Sequence, residues 1–163
     1  MNVFIVEGSA ILLERLRHML SVIPGVVVIG HAVDEAGAIE RIDKLRPDVV
    51  TLDIRLQSGS GLRVLENIKK HHAEIKVMVL TNCAEKAYAN RCKRGGTDYF
   101  FDKTLQIDQF CEVLREWAHI DRQPNHGEIP FDVPEQVLIW ISESVAQWGN
   151  YPLTWAEAWR EQN

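Results

Sequence analysis

"PDVVTLDIRLQSGSGLRVL", residues 47–65, decides how this chain is read. "DVVTLDI", 48–54, reads as a strand, and its β-branched, apolar run from Val49 to Leu52 is of the kind buried on both faces. The run stops at one carboxylate, Asp53. "QSGSG", 57–61, is loop material. Beyond it, Leu62, Leu65 and Ile68 recur at helical spacing. Strand, acid, loop and helix follow one another without a break.

The same grammar repeats on both sides. In "NVFIVEGSAILLERL", residues 2–16, the run Val3–Val6 stops at Glu7, and Ser9 can cap the next helix. Leu12, Leu16, Met19 and Leu20 are expected on one face of that helix, and Pro24-Gly25 breaks it. "VVVIGHAV", 26–33, reads as a second strand. Asp34 then caps a helix lined by Ile39, Ile42 and Leu45 and ended by Pro47. "KVMVLT", 76–81, is a fourth strand, followed by a helix over about 84–94 that Gly95-Gly96 ends. "DYFFDK", 98–103, is a fifth strand, and Phe110, Leu114 and Trp117 anchor a fifth helix.

Five strands alternating with five helices over residues 1–120 imply right-handed βαβ crossovers and a doubly wound parallel sheet. Sites in such sheets lie at the carboxyl ends of the strands. The polar residues there are Glu7, Asp53, Thr81 and Lys103.

Residues 121–163 break the alternation. A Pro/Gly-containing linker precedes two helical patterns, one carrying Val137, Ile141, Val145 and Trp148, the other Trp155 and Trp159. This stretch has 2 Lys/Arg against 7 Asp/Glu, so it carries the whole net charge of −5. An acidic, helical extension repels phosphate backbones, and no nucleic-acid partner is expected. No apolar run reaches the length of a membrane span, and "MNVFIVEG" lacks the basic start of a signal peptide. The expectation is a cytoplasmic protein without membrane contact. Cys83, Cys92 and Cys111 show neither disulfide nor zinc spacing and read as reduced, semi-buried thiols. His71-His72 reads as a helix end.

An aspartate can attack phosphorus, a lysine can neutralise the charge, and a hydroxyl can bond a phosphoryl oxygen. On these residues the chain resembles the response-regulator receiver domain of two-component signalling. The resemblance is carried by "IVEGSAILLERL", "PDVVTLDIRLQSGSGLRVL", "VMVLTNCAE" and "GGTDYFFDKT", four segments in order. It implies a flavodoxin-like strand order of 2-1-3-4-5. It implies Asp53 as phosphoacceptor, Thr81 as switch hydroxyl, Lys103 as phosphate-contacting lysine and Phe100 as the rotating aromatic. It implies Mg2+ held by Glu7, Asp53 and the backbone carbonyl of Arg55. The implied partners are a sensor histidine kinase or phosphotransfer protein and a downstream protein, and a homodimer is allowed. The protein would be a phosphoacceptor rather than an enzyme.

Two positions depart from the family pattern. Gly8 stands where a second acid is usual, which removes a ligand and weakens magnesium. Gln57 stands where a proline is usual, which is expected to alter loop stiffness rather than chemistry. Gly8 keeps a second reading open, a pseudo-receiver acting as a constitutive interaction module. A transcription factor is disfavoured by the acidic extension. A phosphatase of the two-aspartate loop type would need an aspartate at Arg55.

Overall fold

The computed structural model describes residues 1–82 and 86–120. The expected helices of residues 121–163 lie outside the described residues. Five strands, β1 (Asn2–Val6), β2 (Val27–Ala32), β3 (Val49–Leu52), β4 (Lys76–Thr81) and β5 (Tyr99–Asp102), alternate with five helices. These are α1 (Ala10–Ser21), α2 (Glu35–Leu45), α3 (Gly61–His71), α4 (Lys86–Arg94) and α5 (Ile107–Ile120). The strands form one parallel sheet in the order β2-β1-β3-β4-β5, the flavodoxin-like order.

The central strands are buried on both faces because helices cover both. All four β3 residues are buried, as are Val3–Val6 of β1. One apolar cluster joins Phe4, Val6, Val50, Leu52, Val77 and Val79 to Ala38, Ile42 of α2 and Leu62, Leu65, Ile68 of α3. The other joins Val3, Ile5, Val49, Met78 and Leu80 to Leu13, Leu16, Leu20 of α1 and Phe110, Leu114 of α5. Alternate residues of each strand thus feed opposite layers, as the two-residue period requires.

Capping follows the sequence. Ser9 accepts from the Leu12 amide at 3.5 Å, and Asp34 accepts from Gly37 N at 2.8 Å; a cap of this kind is worth about 1 kcal/mol. The α1 stripe is shifted from the expected one. Leu13 is buried, while Leu12 is only partly covered and lines the cavity beside Asp53. In α2, Leu45 is exposed and Ala38 buried instead, because the edge strand β2 offers less sheet to cover.

His72 is more than a helix end. It is buried against α2, with Nδ1 2.6 Å from Arg46 Nη1 and Nε2 2.5 Å from Asp43 Oδ1. A guanidinium only donates, so Nδ1 accepts and Nε2 carries the proton given to Asp43. Cys92 and Cys111 are free and buried. Burial pushes both thiols up, against the weaker pull of Arg91 and Arg115.

Candidate functional site

Three strands each run one backbone bond past their ends, and those bonds set the site. Glu7 N donates to Ala32 O at 3.0 Å, Asp53 N to Val6 O at 2.9 Å, and Lys103 N to Thr81 O at 3.1 Å. Glu7 and Asp53 therefore stand side by side in register, and Lys103 starts two residues further along the edge, from where its long side chain reaches back. Thr81, the last residue of β4, is buried there as well. Parallel pairing brings together residues up to 96 positions apart.

Lys103 Nζ donates to Glu7 Oε2 at 2.5 Å and to Asp53 Oδ2 at 2.6 Å. The other oxygen of each acid is held by its own loop. Ser9 N donates to Glu7 Oε1 at 3.0 Å, and Arg55 N donates to Asp53 Oδ1 at 3.2 Å. Both carboxylates are thus oriented from two sides. Glu7 is 1% exposed and Asp53 8%, so the charges meet where water screens them poorly. Asp102 does not compete for the lysine; its Oδ1 accepts from Thr104 N and Leu105 N.

A cavity of about 310 Å3 opens on these groups, lined among others by Glu7, Gly8, Asp53, Arg55, Thr81 and Asn82. Phe100, on β5, is half-buried and packs on the α3-side cluster together with Tyr88. Arg91, on α4, faces solvent and pairs with Glu66 at 3.8 Å.

The pattern matches the model of the family described as "Response regulator receiver domain" over residues 3–115. The chain belongs to that family. A receiver-bearing relative is the "Uncharacterized transcriptional regulatory protein YvfU" of Bacillus subtilis, 33% identical over 115 residues, covering 71% of this chain and 58% of that protein. A "Protein-glutamate methylesterase/protein-glutamine glutaminase 1" of Xanthomonas campestris is 39% identical over 117 residues, 71% of this chain and 33% of that protein. The "Response regulator GacA" of Pseudomonas viridiflava is 25% identical over 114 residues, covering 70% and 53%. The receiver thus spans about half, or less, of the length of these curated relatives. Among solved structures, the response regulator domain of Thermotoga maritima CheB superposes with a TM-score of 0.65 at 27% identity, over 76% of this chain and 98% of that one.

Receiver domains usually bind Mg2+, and the donor set can be tested for it. Among the described residues no cluster of three or more His, Cys, Asp or Glu is placed to hold a metal. Glu7, Asp53 and Arg55 line the cavity, and their two carboxylates and one backbone carbonyl are hard oxygen donors. Magnesium is content with one or two carboxylates because it retains several waters. The set fits a hydrated divalent cation held by little charge, since Lys103 already offsets one of the two acids.

One position in the site was not singled out from sequence, and another was read only for its effect on the loop. Gly61 opens α3 directly under Asp53: a Cβ there would lie 2.0 Å from Asp53 O. Only glycine permits that approach. The signal was present, a glycine at the first helical position after an acid-ended strand. The other is the side chain of Gln57, whose Nε2 donates to Gly8 O at 2.9 Å. Its effect is therefore more than loop stiffness, because the amide ties two loops together. Sequence could not reveal this bond between residues 49 apart.

No helix among the described residues is long and apolar enough to cross a membrane.

Proposed function

We propose that this receiver is a phosphoacceptor in a two-component phosphorelay, phosphorylated on Asp53 and signalling by protein–protein contact. The observation that carries the reading is the Lys103 ammonium shared between Asp53 and Glu7, two acids that line one cavity with Thr81. A buried trio of two acids and one lysine without use is costly to keep, because each charge loses its hydration.

The partner would be a sensor histidine kinase or phosphotransfer protein presenting phosphohistidine. An Asp53 oxygen forms the new P–O bond as the donor's P–N bond breaks, and the departing imidazole takes a proton from solvent. Lys103 stays beside the carboxylate and balances the incoming charge. Thr81 offers its hydroxyl to a phosphoryl oxygen, and Phe100 turns inward as Thr81 moves. When bound, Mg2+ supplies further positive charge to the phosphoryl group. Glu7, Asp53 and the Arg55 carbonyl would hold it, weakly, since Gly8 stands where the resemblance has a second acid. The protein is read as an acceptor and switch, not as an enzyme acting on a separate substrate. The acidic composition of residues 121–163 supports output to a protein rather than to nucleic acid.

The test is incubation with acetyl phosphate and magnesium, followed by intact mass. Wild type gains one phosphoryl group and Asp53→Ala gains none. A wild type that stays unmodified at millimolar magnesium refutes the reading. It favours a pseudo-receiver, a constitutive interaction module, for which Gly8 already speaks.

A further inference from the structure

On the strength of the phosphoacceptor reading, we infer that Gln57 is a positioning residue for the Asp53 site. Gly8 and Gln57 act as a matched pair in place of a second acid.

The loop between β3 and α3 carries the Arg55 carbonyl, and it is tied from two sides. On the α2 side, Glu35 N donates to Ser58 O at 3.1 Å and Ser60 N donates to Glu35 Oε2 at 2.8 Å. Gln57 N also donates to Val33 O at 2.9 Å. On the α1 side, the Gln57 side chain reaches Gly8 O at 2.9 Å. That second tie clasps the loop after β1, which bears Glu7, to the loop after β3, which bears Arg55.

The clasp depends on the missing side chain. A Cβ at position 8 would lie 2.9 Å from Arg55 O, 3.1 Å from Leu56 Cα and 3.2 Å from Gln57 N. All three are backbone atoms and cannot rotate away. A side chain at position 8 requires the β3–α3 loop to give way by a few tenths of an ångström. It would carry the Arg55 carbonyl with it and stretch the Gln57 bond. The β3–α3 loop therefore closes up against position 8, while Gly8 still lines the cavity. The cation would be held by Glu7, Asp53 and the Arg55 carbonyl, its other positions taken by water. Gly8→Asp adds a carboxylate but displaces a carbonyl, so it does not restore a tighter site.

The experiment uses the full chain as wild type, Gln57→Ala, Gln57→Lys and Gly8→Asp. Magnesium is titrated by amide chemical shifts, and hydrogen exchange is followed at the amides of residues 55 and 57. Gln57 is exposed, so its variants should fold, with stability from the urea midpoint lowered by no more than the about 1 kcal/mol of one hydrogen bond. Losing one hydrogen bond predicts exchange and magnesium dissociation constants raised about 3- to 10-fold in Gln57→Ala. Gln57→Lys retains an N–H donor of sufficient reach and should recover most of the loss. Gly8→Asp should speed exchange at residues 55 and 57 and leave magnesium no tighter. Exchange in Gln57→Ala within twofold of wild type overturns the positioning role, whatever magnesium does. So does a Gly8→Asp variant that binds magnesium tenfold tighter with unshifted loop amides. Absence of magnesium binding in wild type, with fast exchange in Gln57→Ala, supports the clasp and counts against the cation reading alone.

Discussion

Lys103 Nζ lies 2.5 Å from Glu7 Oε2 and 2.6 Å from Asp53 Oδ2, so one ammonium joins the ends of β5, β1 and β3. Its removal leaves two buried carboxylates facing each other without a counter-charge. Lys103→Met should lower the unfolding free energy by about 3 kcal/mol at pH 7, in the range for breaking a buried ion pair from one side. Urea titrations measure this. Part of the loss should return with millimolar magnesium, which supplies a counter-charge to the two acids. A variant as stable as wild type would show that the trio contributes nothing to the fold.

Gly61 is the steric support of Asp53. A methyl group 2.0 Å from Asp53 O must move that carbonyl or the start of α3. Gly61→Ala should cost about 2–3 kcal/mol, as overpacking does. It should also slow acetyl phosphate labelling at least tenfold. The control is Gly95→Ala, whose added Cβ meets the end of the Leu65 side chain at 3.0 Å. That group can turn aside, so labelling there should be unaffected.

Thr51 sits in the middle of β3, 1% exposed, and its Oγ1 has no hydrogen-bond partner among the described residues. A hydroxyl buried in that state costs stability that a methyl group does not. Thr51→Val should raise stability by about 1 kcal/mol, read from the urea midpoint, with no change in labelling. A fall of similar size would mean that the hydroxyl is satisfied after all.

Cys92 and Cys111 govern the alkaline limb. Burial raises both thiols in the folded state, while the unfolded thiols ionise near pH ~8.5. Above that pH the unfolded state binds fewer protons than the folded one, so stability falls as pH rises. It is fully present below the unfolded value. Between pH 8 and pH 10 the wild type should lose more unfolding free energy than a Cys92→Ala/Cys111→Ala double variant. Parallel slopes would exclude the thiols as the cause.

The strand-ending residues Glu7, Asp53, Thr81 and Lys103 were legible because a buried parallel strand must stop where polarity begins. The run 76–81 coincides with β4, and the other four differ from the observed strands by a residue or two at their ends. The stripes of α3 and α5 were legible for the same reason, since one helical face must be apolar. The choice of Leu13 over Leu12 was not. Both are leucine, and only the position of the sheet says which one turns inward. His72 likewise looked like half of a pair at a helix end, until α2 supplied Asp43 and Arg46 to bury it.

By itself, the sequence determined the alternation of strands and helices, the polar residue at each strand end and the absence of an acid at position 8. These are local properties, set by hydrophobic period, turn chemistry and residue type. Only the tertiary structure decided that one lysine serves both acids, that Gly61 supports Asp53, and that Gln57 reaches Gly8. The contacts of Lys103 with the two acids and of Gln57 with Gly8 span 49 to 96 residues of chain. Their distances depend on how sheet and helices pack, and no pattern along the chain encodes them.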